Sequence, residues 1–271
     1  MFRQGRTDMR STSPFLRPDE RLDEVNERIR LIQKRHGLTF GTDAYLLAAF
    51  IRPQPYAQAV ELGSGCGIIS LLLCAKDKLR TVTAVEVQPS FAELTARNAA
   101  LNGYSDRIRV LNADLRRLTA DHPGGEVNLV FANPPYLKAD SGMPNRAAEK
   151  DIARHEVCGG IRDFCAAASR LLRTGGRFAC VFRAERLADL FGAMRANRLE
   201  PKRMVMVHSD ADSPPCLVLT ECVKDAAPSL RVLPALMLYH RRSSAESRRT
   251  LTAQAEAIYQ TCSFPDAGKY R

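Results

Sequence analysis

The tetrad Asn133-Pro134-Pro135-Tyr136 has more chemical content than any other stretch of the chain. Two consecutive prolines fix the backbone and remove two N–H donors, which leaves carbonyls facing outward. The Asn133 amide supplies a further acceptor and Tyr136 a flat aromatic face. An amino group suits this set. Two acceptors hold its two hydrogens, a ring stacks on its plane, and the nitrogen lone pair is directed at an electrophile. Catalysis of that kind rests on positioning more than on proton abstraction. The plainer alternative is a rigid turn with an incidental tyrosine.

Upstream, Glu61-Leu62-Gly63-Ser64-Gly65-Cys66-Gly67 places three glycines at alternate positions. Glycines so spaced let the backbone turn tightly and let a ligand approach the main chain with no Cβ in the way. The spacing is not the Gly-x-Gly-x-x-Gly of dinucleotide folds, and a carboxylate at Glu61 suits a cationic ligand better than a pyrophosphate. Glu86 follows at roughly twenty residues, a separation at which an acidic side chain accepts hydrogen bonds from both ribose hydroxyls. Asp114 can accept from an adenine amino group with the Ala113 N–H facing a ring nitrogen, or it can cap a short helix that follows.

These residues need elements to bring them together, and the hydrophobic periodicity supplies a set. Strands are expected over residues 57–62, 81–87, 107–113, 127–132, 177–182, 204–207 and 215–223. Helices are expected over 42–50, with Thr42 as N-cap, and over 68–75, 89–102, 160–172 and 185–197. Alternation of this kind implies an α/β, Rossmann-like fold: a seven-stranded, mostly parallel sheet with helices on both faces. The last two strands have no helix between them, so the final one should run antiparallel. In such a sheet ligands bind beyond the carboxyl ends of the strands. Glu61, Glu86, Asp114 and Asn133 all fall at such ends.

Composition narrows the partner. Among 271 residues, 40 Lys+Arg against 30 Asp+Glu leave a formal charge of +10, which favours a polyanion such as nucleic acid. The longest apolar run, Ile68 to Ala75, is too short to span a bilayer, and the Arg-rich N-terminus lacks the apolar core of a secretory signal. Eight scattered cysteines form no Cys-x-x-Cys pair, so neither a zinc site nor a disulfide framework is expected. Free thiols in a reducing cytoplasm fit better. No metal-ligand cluster or nucleophile triad stands out. His155, between Arg154 and Glu156, could be a general base but reads better as an orienting or structural residue.

Taken in order, the glycine turn, Glu86, Asp114 and Asn-Pro-Pro-Tyr resemble a class I S-adenosylmethionine-dependent methyltransferase acting on amino groups. More narrowly, Arg28 to Gln33, Phe40 to Leu47 and Ala153-Arg154-His155-Glu156 resemble the bacterial tRNA1(Val) adenine-N6 methyltransferase family, over Leu22 to about Pro265. The resemblance implies methyl transfer to the N6 of an adenosine near the anticodon of a valine tRNA. Glu61, Gly63 and Gly65 would hold the amino acid end of the cofactor, Glu86 the ribose and Asp114 the adenine. Thr42 and Asp43 would close over the methionine end, unless they serve only as a helix cap. Asn133 and the Pro134 carbonyl would hold the target amino group beside Pro135, with Tyr136 stacking. Apart from the resemblance, the excess positive charge points to Lys138, Arg154, Arg241 and Arg242 as cations that would grip the RNA. The long basic C-terminal stretch from Tyr239 departs from the family pattern. The corresponding organisation is a flexible tail over 1–20, a methyltransferase domain over 21–225 with a helical cap at about 21–55, and a basic extension over 226–271. Three other activities fit parts of the pattern. These are a glutamine N5-methyltransferase acting on a release factor, another rRNA or DNA amino-methyltransferase, and a non-enzymatic RNA-binding factor.

Overall fold

The computed structural model describes residues 16–35, 40–122, 125–135, 159–241 and 249–264. The chain enters as an antiparallel hairpin of β1 (Glu20–Asn26) and β2 (Ile29–Lys34), not as the expected helical cap. Two features explain the difference. Ile29, Leu31 and Gln33 are buried at alternate positions, the period of a strand. The Asn26 side chain accepts from the Arg28 and Ile29 N–H groups and closes the turn. The expected tail also ends sooner: Glu20 is 1% exposed and paired with Arg97, while residues 1–15 lie outside the described residues.

Helix α1 (Thr42–Phe50) follows, with every residue from Ala44 to Phe50 buried. Helices apolar on all sides belong in the interior. Its last turn is closed by the buried Lys78, whose Nζ donates to the carbonyls of Ala48, Ala49 and Ile51 at 2.8, 3.2 and 2.8 Å. Burial pulls that ammonium down to about 8.

The remainder alternates as the sequence predicts: β3 (Gln54–Leu62), α2 (Ile68–Ala75), β4 (Leu79–Glu86), α3 (Pro89–Leu101), β5 (Ile108–Asn112), β6 (Val127–Ala132), α4 (Ile161–Leu171), β7 (Leu172–Arg183), α5 (Leu187–Ala196), β8 (Leu199–His208) and β9 (Pro215–Lys224). The main sheet runs β5-β4-β3-β6-β7-β9-β8, with β9 antiparallel to both its neighbours and the others parallel. The order reverses between β3 and β6, which opens a crevice at their carboxyl ends. β6 shows why these strands are apolar throughout. Leu129 and Phe131 belong to the core shared with α1 and α2, Val130 and Ala132 to the core beneath α4 and α5.

Among the described residues the sheet has nine strands where seven were expected, because the C-terminal segment is part of the fold. β10 (Arg231–Val232) and β11 (Leu236–Met237) pair parallel with β8. Helix α6 (Ala253–Thr261) then lies on α1, where Ala255, Ile258 and Cys262 are fully buried and the Tyr45 and Tyr259 rings sit 5.1 Å apart.

Two buried polar groups fasten this framework. Asn98 on α3 is 0% exposed; its Nδ2 donates to the Ile32 and Cys66 carbonyls and its Oδ1 accepts from Ile32 N–H. Glu61, 1% exposed at the end of β3, accepts from the Ser70 hydroxyl of α2. Burial pushes the Glu61 carboxyl up to about 8, with a smaller push from Glu86.

Asn98→Ala should lower unfolding free energy in urea by about 2–3 kcal/mol, because it strands buried backbone partners as well as losing three bonds. Glu61 gives a pH signature. Between its ordinary pKa of 4.5 and the folded value of about 8, the native state holds a proton that the unfolded chain has released, so stability falls as pH rises through that window. Glu61→Gln should flatten the fall, leaving the smaller part due to Glu86, which burial also raises. Equal slopes for the two proteins in urea titrations across that range would contradict this.

Candidate active site

The glycine turn joins β3 to α2. Gly63, Gly65 and Gly67 have φ of 70, 57 and 79°, a region that side-chain-bearing residues enter only with strain. Backbone so arranged needs partners from outside. Gly63 and Ser64 N–H donate to the Val85 carbonyl at 2.9 and 3.0 Å. Gly65 N–H donates to Glu86 Oε2 at 2.9 Å, Thr95 Oγ1 donates to the Gly65 carbonyl at 2.9 Å, and Asn98 Nδ2 to that of Cys66 at 2.9 Å. A Cβ at Gly67 would come within 2.8 Å of Thr95, whereas one at Gly65 would meet nothing within 4 Å. Packing therefore does not require the middle glycine. Open space above its main chain fits a ligand laid against the turn.

Glu86 ends β4 and is 5% exposed, its other oxygen accepting from Gln88 N–H at 3.0 Å. A carboxylate has about four lone-pair sites, so these backbone bonds leave acceptor capacity for a ribose diol. Glu61 lies beneath the turn, turned towards Ser70 instead of standing as an open carboxylate over the crevice.

Asp114 caps the short 3-10 turn Leu115–Arg117 through Arg116 N–H and is gripped by the Arg116 guanidinium, Nη2 to Oδ2 at 2.6 Å. That fork holds its carboxyl below the usual range. An adenine amino group would have to share Asp114 with Arg116. The Ala113 N–H, expected to face a ring nitrogen, instead donates to the Glu86 carbonyl at 3.1 Å. β5 stops at Asn112, one residue short of the expected strand end, and the Ala113 donor just beyond it is taken up by the β4 backbone.

Asn133 directly follows β6, with Pro134 buried and Pro135 half-buried. Its Nδ2 donates to Asp43 Oδ2 at 3.1 Å, across ninety positions of sequence, and Asp43 Oδ1 accepts from Ala44 N–H at 2.9 Å. Thr42 is not the N-cap. Gly41 holds that position without a side-chain cap bond, and the Thr42 side chain bonds to Tyr259 of α6. The two residues expected to close over a cofactor thus tie α1 to α6 and to Asn133.

Tyr136, Lys138, Arg154, His155 and Arg242 lie outside the described residues. Arg241 is described: its side chain is 77% exposed and pairs with Asp212 at 2.7 Å. β11 pairs parallel with the end of β8, which runs in the same direction as β6 and β7, so Arg241 stands at the same edge of the sheet as Asn133. Sequence reasoning missed Ser70, Thr95 and Asn98. The usable signal was two polar residues three apart, Thr95 and Asn98, on the otherwise apolar face of α3.

The family model for the methyltransferase small domain matches residues 36–196. Among curated relatives, a tRNA1(Val) (adenine(37)-N6)-methyltransferase of Porphyromonas gingivalis is 29% identical over 201 residues, 72% of this chain and 78% of the relative. One of the same name from Tolumonas auensis is 26% identical over 194 residues, 71% and 79% of the two chains. In fold, the chain is similar to the crystal structure of a predicted O-methyltransferase from Agrobacterium tumefaciens. The TM-score is 0.64 at 21% identity, covering 82% of this chain and 98% of that one. A strand-end crevice with an open glycine turn, an acidic residue on the next strand and an Asn-Pro-Pro at the switch point agree with the matched span, and the chain belongs to the methyltransferase small domain family.

Proposed function

We propose that this protein transfers a methyl group from S-adenosylmethionine to the N6 amino group of an adenosine near the anticodon of a valine tRNA. The observation that carries the reading is the Asn133–Asp43 hydrogen bond. Asp43 in its ionised form is an acceptor only, so it takes the Nδ2 end of the Asn133 amide and leaves Oδ1 on the opposite side. The group turned towards a substrate is then an acceptor, and a pair of acceptors matches the two hydrogens of an amino group, where a hydroxyl has one and a carboxylate none. The Pro134 carbonyl is the second acceptor. Together they fix the amino group and aim its lone pair, so Asp43 acts as a positioning residue and Asn133 as the catalytic one.

S-adenosylmethionine, when bound, supplies an electrophilic methyl group on a positively charged sulfur. Glu86 would take its ribose and the open face at Gly65 its main-chain contact, with Gly63 alongside. Asp114 would share its carboxylate with the adenine. Glu61 would act from below, its buried carboxyl gaining a cationic neighbour. Supporting the RNA acceptor are the names of the curated relatives, the charge of +10 and exposed cations such as Arg241 at the sheet edge that carries Asn133.

Incubation with labelled S-adenosylmethionine and either bulk tRNA lacking the modification or a release factor tests the reading. N6-methyladenosine in digested tRNA is expected, and label on a glutamine of the release factor would replace this reading with the amide one. In the same assay Asp43→Ala should lower kcat roughly 100-fold, the scale of misplacing a reacting group by about 1 Å, with cofactor affinity almost unchanged. Equal losses in both would mean that Asp43 only holds the fold together. Reversing the charges of Arg241 and Arg242 should weaken tRNA binding and make its salt dependence shallower, since fewer counterions are released. A filter-binding titration at several salt concentrations measures both.

A further inference from the structure

On the other side of the sheet from Arg241, where β7 and β8 begin, a cavity of about 270 Å³ is lined by five cationic side chains, Arg52, Arg177, Lys202, Arg203 and Arg231. Glu221, 2% exposed, is the one carboxylate among the described residues that line it, and Arg52, Arg177 and Arg203 all turn to it. Arg52 and Arg177 both donate to Glu221 Oε1, Arg177 at 2.8 Å, while Arg203 Nη2 stands 3.4 Å from Oε2. Arg203 is otherwise held by the Phe50 carbonyl at 2.6 Å and by stacking 3.9 Å above the Phe50 ring. It is 8% exposed, and its buried Nε has no hydrogen-bond partner.

Several guanidinium groups around one carboxylate repel one another, and a buried donor without a partner adds to that cost. Burial, with the fields of Arg52 and Arg177 and against the pull of Glu221, brings Arg203 down to about 10. An anion relieves both penalties. A monovalent carboxylate would offset a single charge. A phosphoryl group brings up to two charges and acceptor oxygens facing several directions, which matches donors arriving from β7, β8, β10 and the end of α1. The volume lies near the lower end of small-ligand pockets and admits more than a single phosphate.

We propose that this cavity is a phosphoryl-binding site distinct from the crevice at Asn133, filled by a backbone phosphate of RNA or by a free phosphorylated small molecule. Calorimetric titration of the full-length protein with inorganic pyrophosphate tests it. Saturable binding is expected, weakened about tenfold by Lys202→Ala and tightened by Glu221→Gln, which removes the competing internal anion. S-adenosylmethionine affinity should stay the same in both variants. Where Glu221→Gln does not fold, Arg231→Ala takes its place, with a loss of affinity expected. If tRNA displaces pyrophosphate and Lys202→Ala lowers the tRNA salt slope by about one, the phosphoryl group belongs to RNA. If tRNA leaves pyrophosphate bound, it belongs to a small molecule. No pyrophosphate binding, together with a tRNA slope that Lys202→Ala does not move, overturns the proposal and leaves the cations as counter-ions of Glu221.

Discussion

A turn made of residues with positive φ closes no ladder of its own, and its peptide groups must be satisfied by whatever surrounds it. Around Gly63 to Gly67 those side-chain and strand partners come from two elements. Val85 and Glu86 arrive on β4, Thr95 and Asn98 on α3, and through Asn98 the β2 backbone at Ile32 is joined as well. The position of α3 is therefore dictated by hydrogen bonding as much as by burial. The N-terminal hairpin is registered against the turn through one amide. Hairpin, turn and α3 form a single rigid wall of the crevice. The opposite wall is the end of β6, and Asp43 binds it to α1.

Charge is distributed in keeping with two unlike ligands. Glu86 and Asp43 flank the crevice, where a cationic sulfur centre would be welcome, and the net charge of the chain is nevertheless +10. The surplus positive charge has to lie elsewhere, and Arg241 and Arg249 are two of its exposed members. An acidic centre with a basic periphery lets a small cation and a large anion approach one molecule without competing for the same field.

The alternating core was legible because fully buried parallel strands are written as apolar runs; residues 127–132 were read as a strand, and β6 spans those same residues. The strand-end residues were legible for the same reason, since topology alone sends them to one edge. What escaped was information that no local pattern carries. The β1–β2 hairpin is short and half charged, so its period is visible mainly through Ile29 and Leu31. Lys78 looks like a surface lysine until the carbonyls of α1 surround it. The C-terminal segment reads as a basic appendage because its cations are numerous, while the contacts that fold it, Ala255 and Ile258 against α1, are few and far from their partners in sequence.

That last separation bears on how the protein is made. Tyr45 donates its hydroxyl to the Tyr259 carbonyl across 214 positions. At a synthesis rate of about 5–20 residues per second, α1 leaves the ribosome some 10–40 s before the helix that covers it. Lys78 and α2 emerge early and can tie and partly cover α1 within seconds, but the face of α1 that α6 covers stays open for most of translation. During that interval the nascent chain displays an apolar surface of the kind that chaperones bind, and the arrival of α6 ends the exposure.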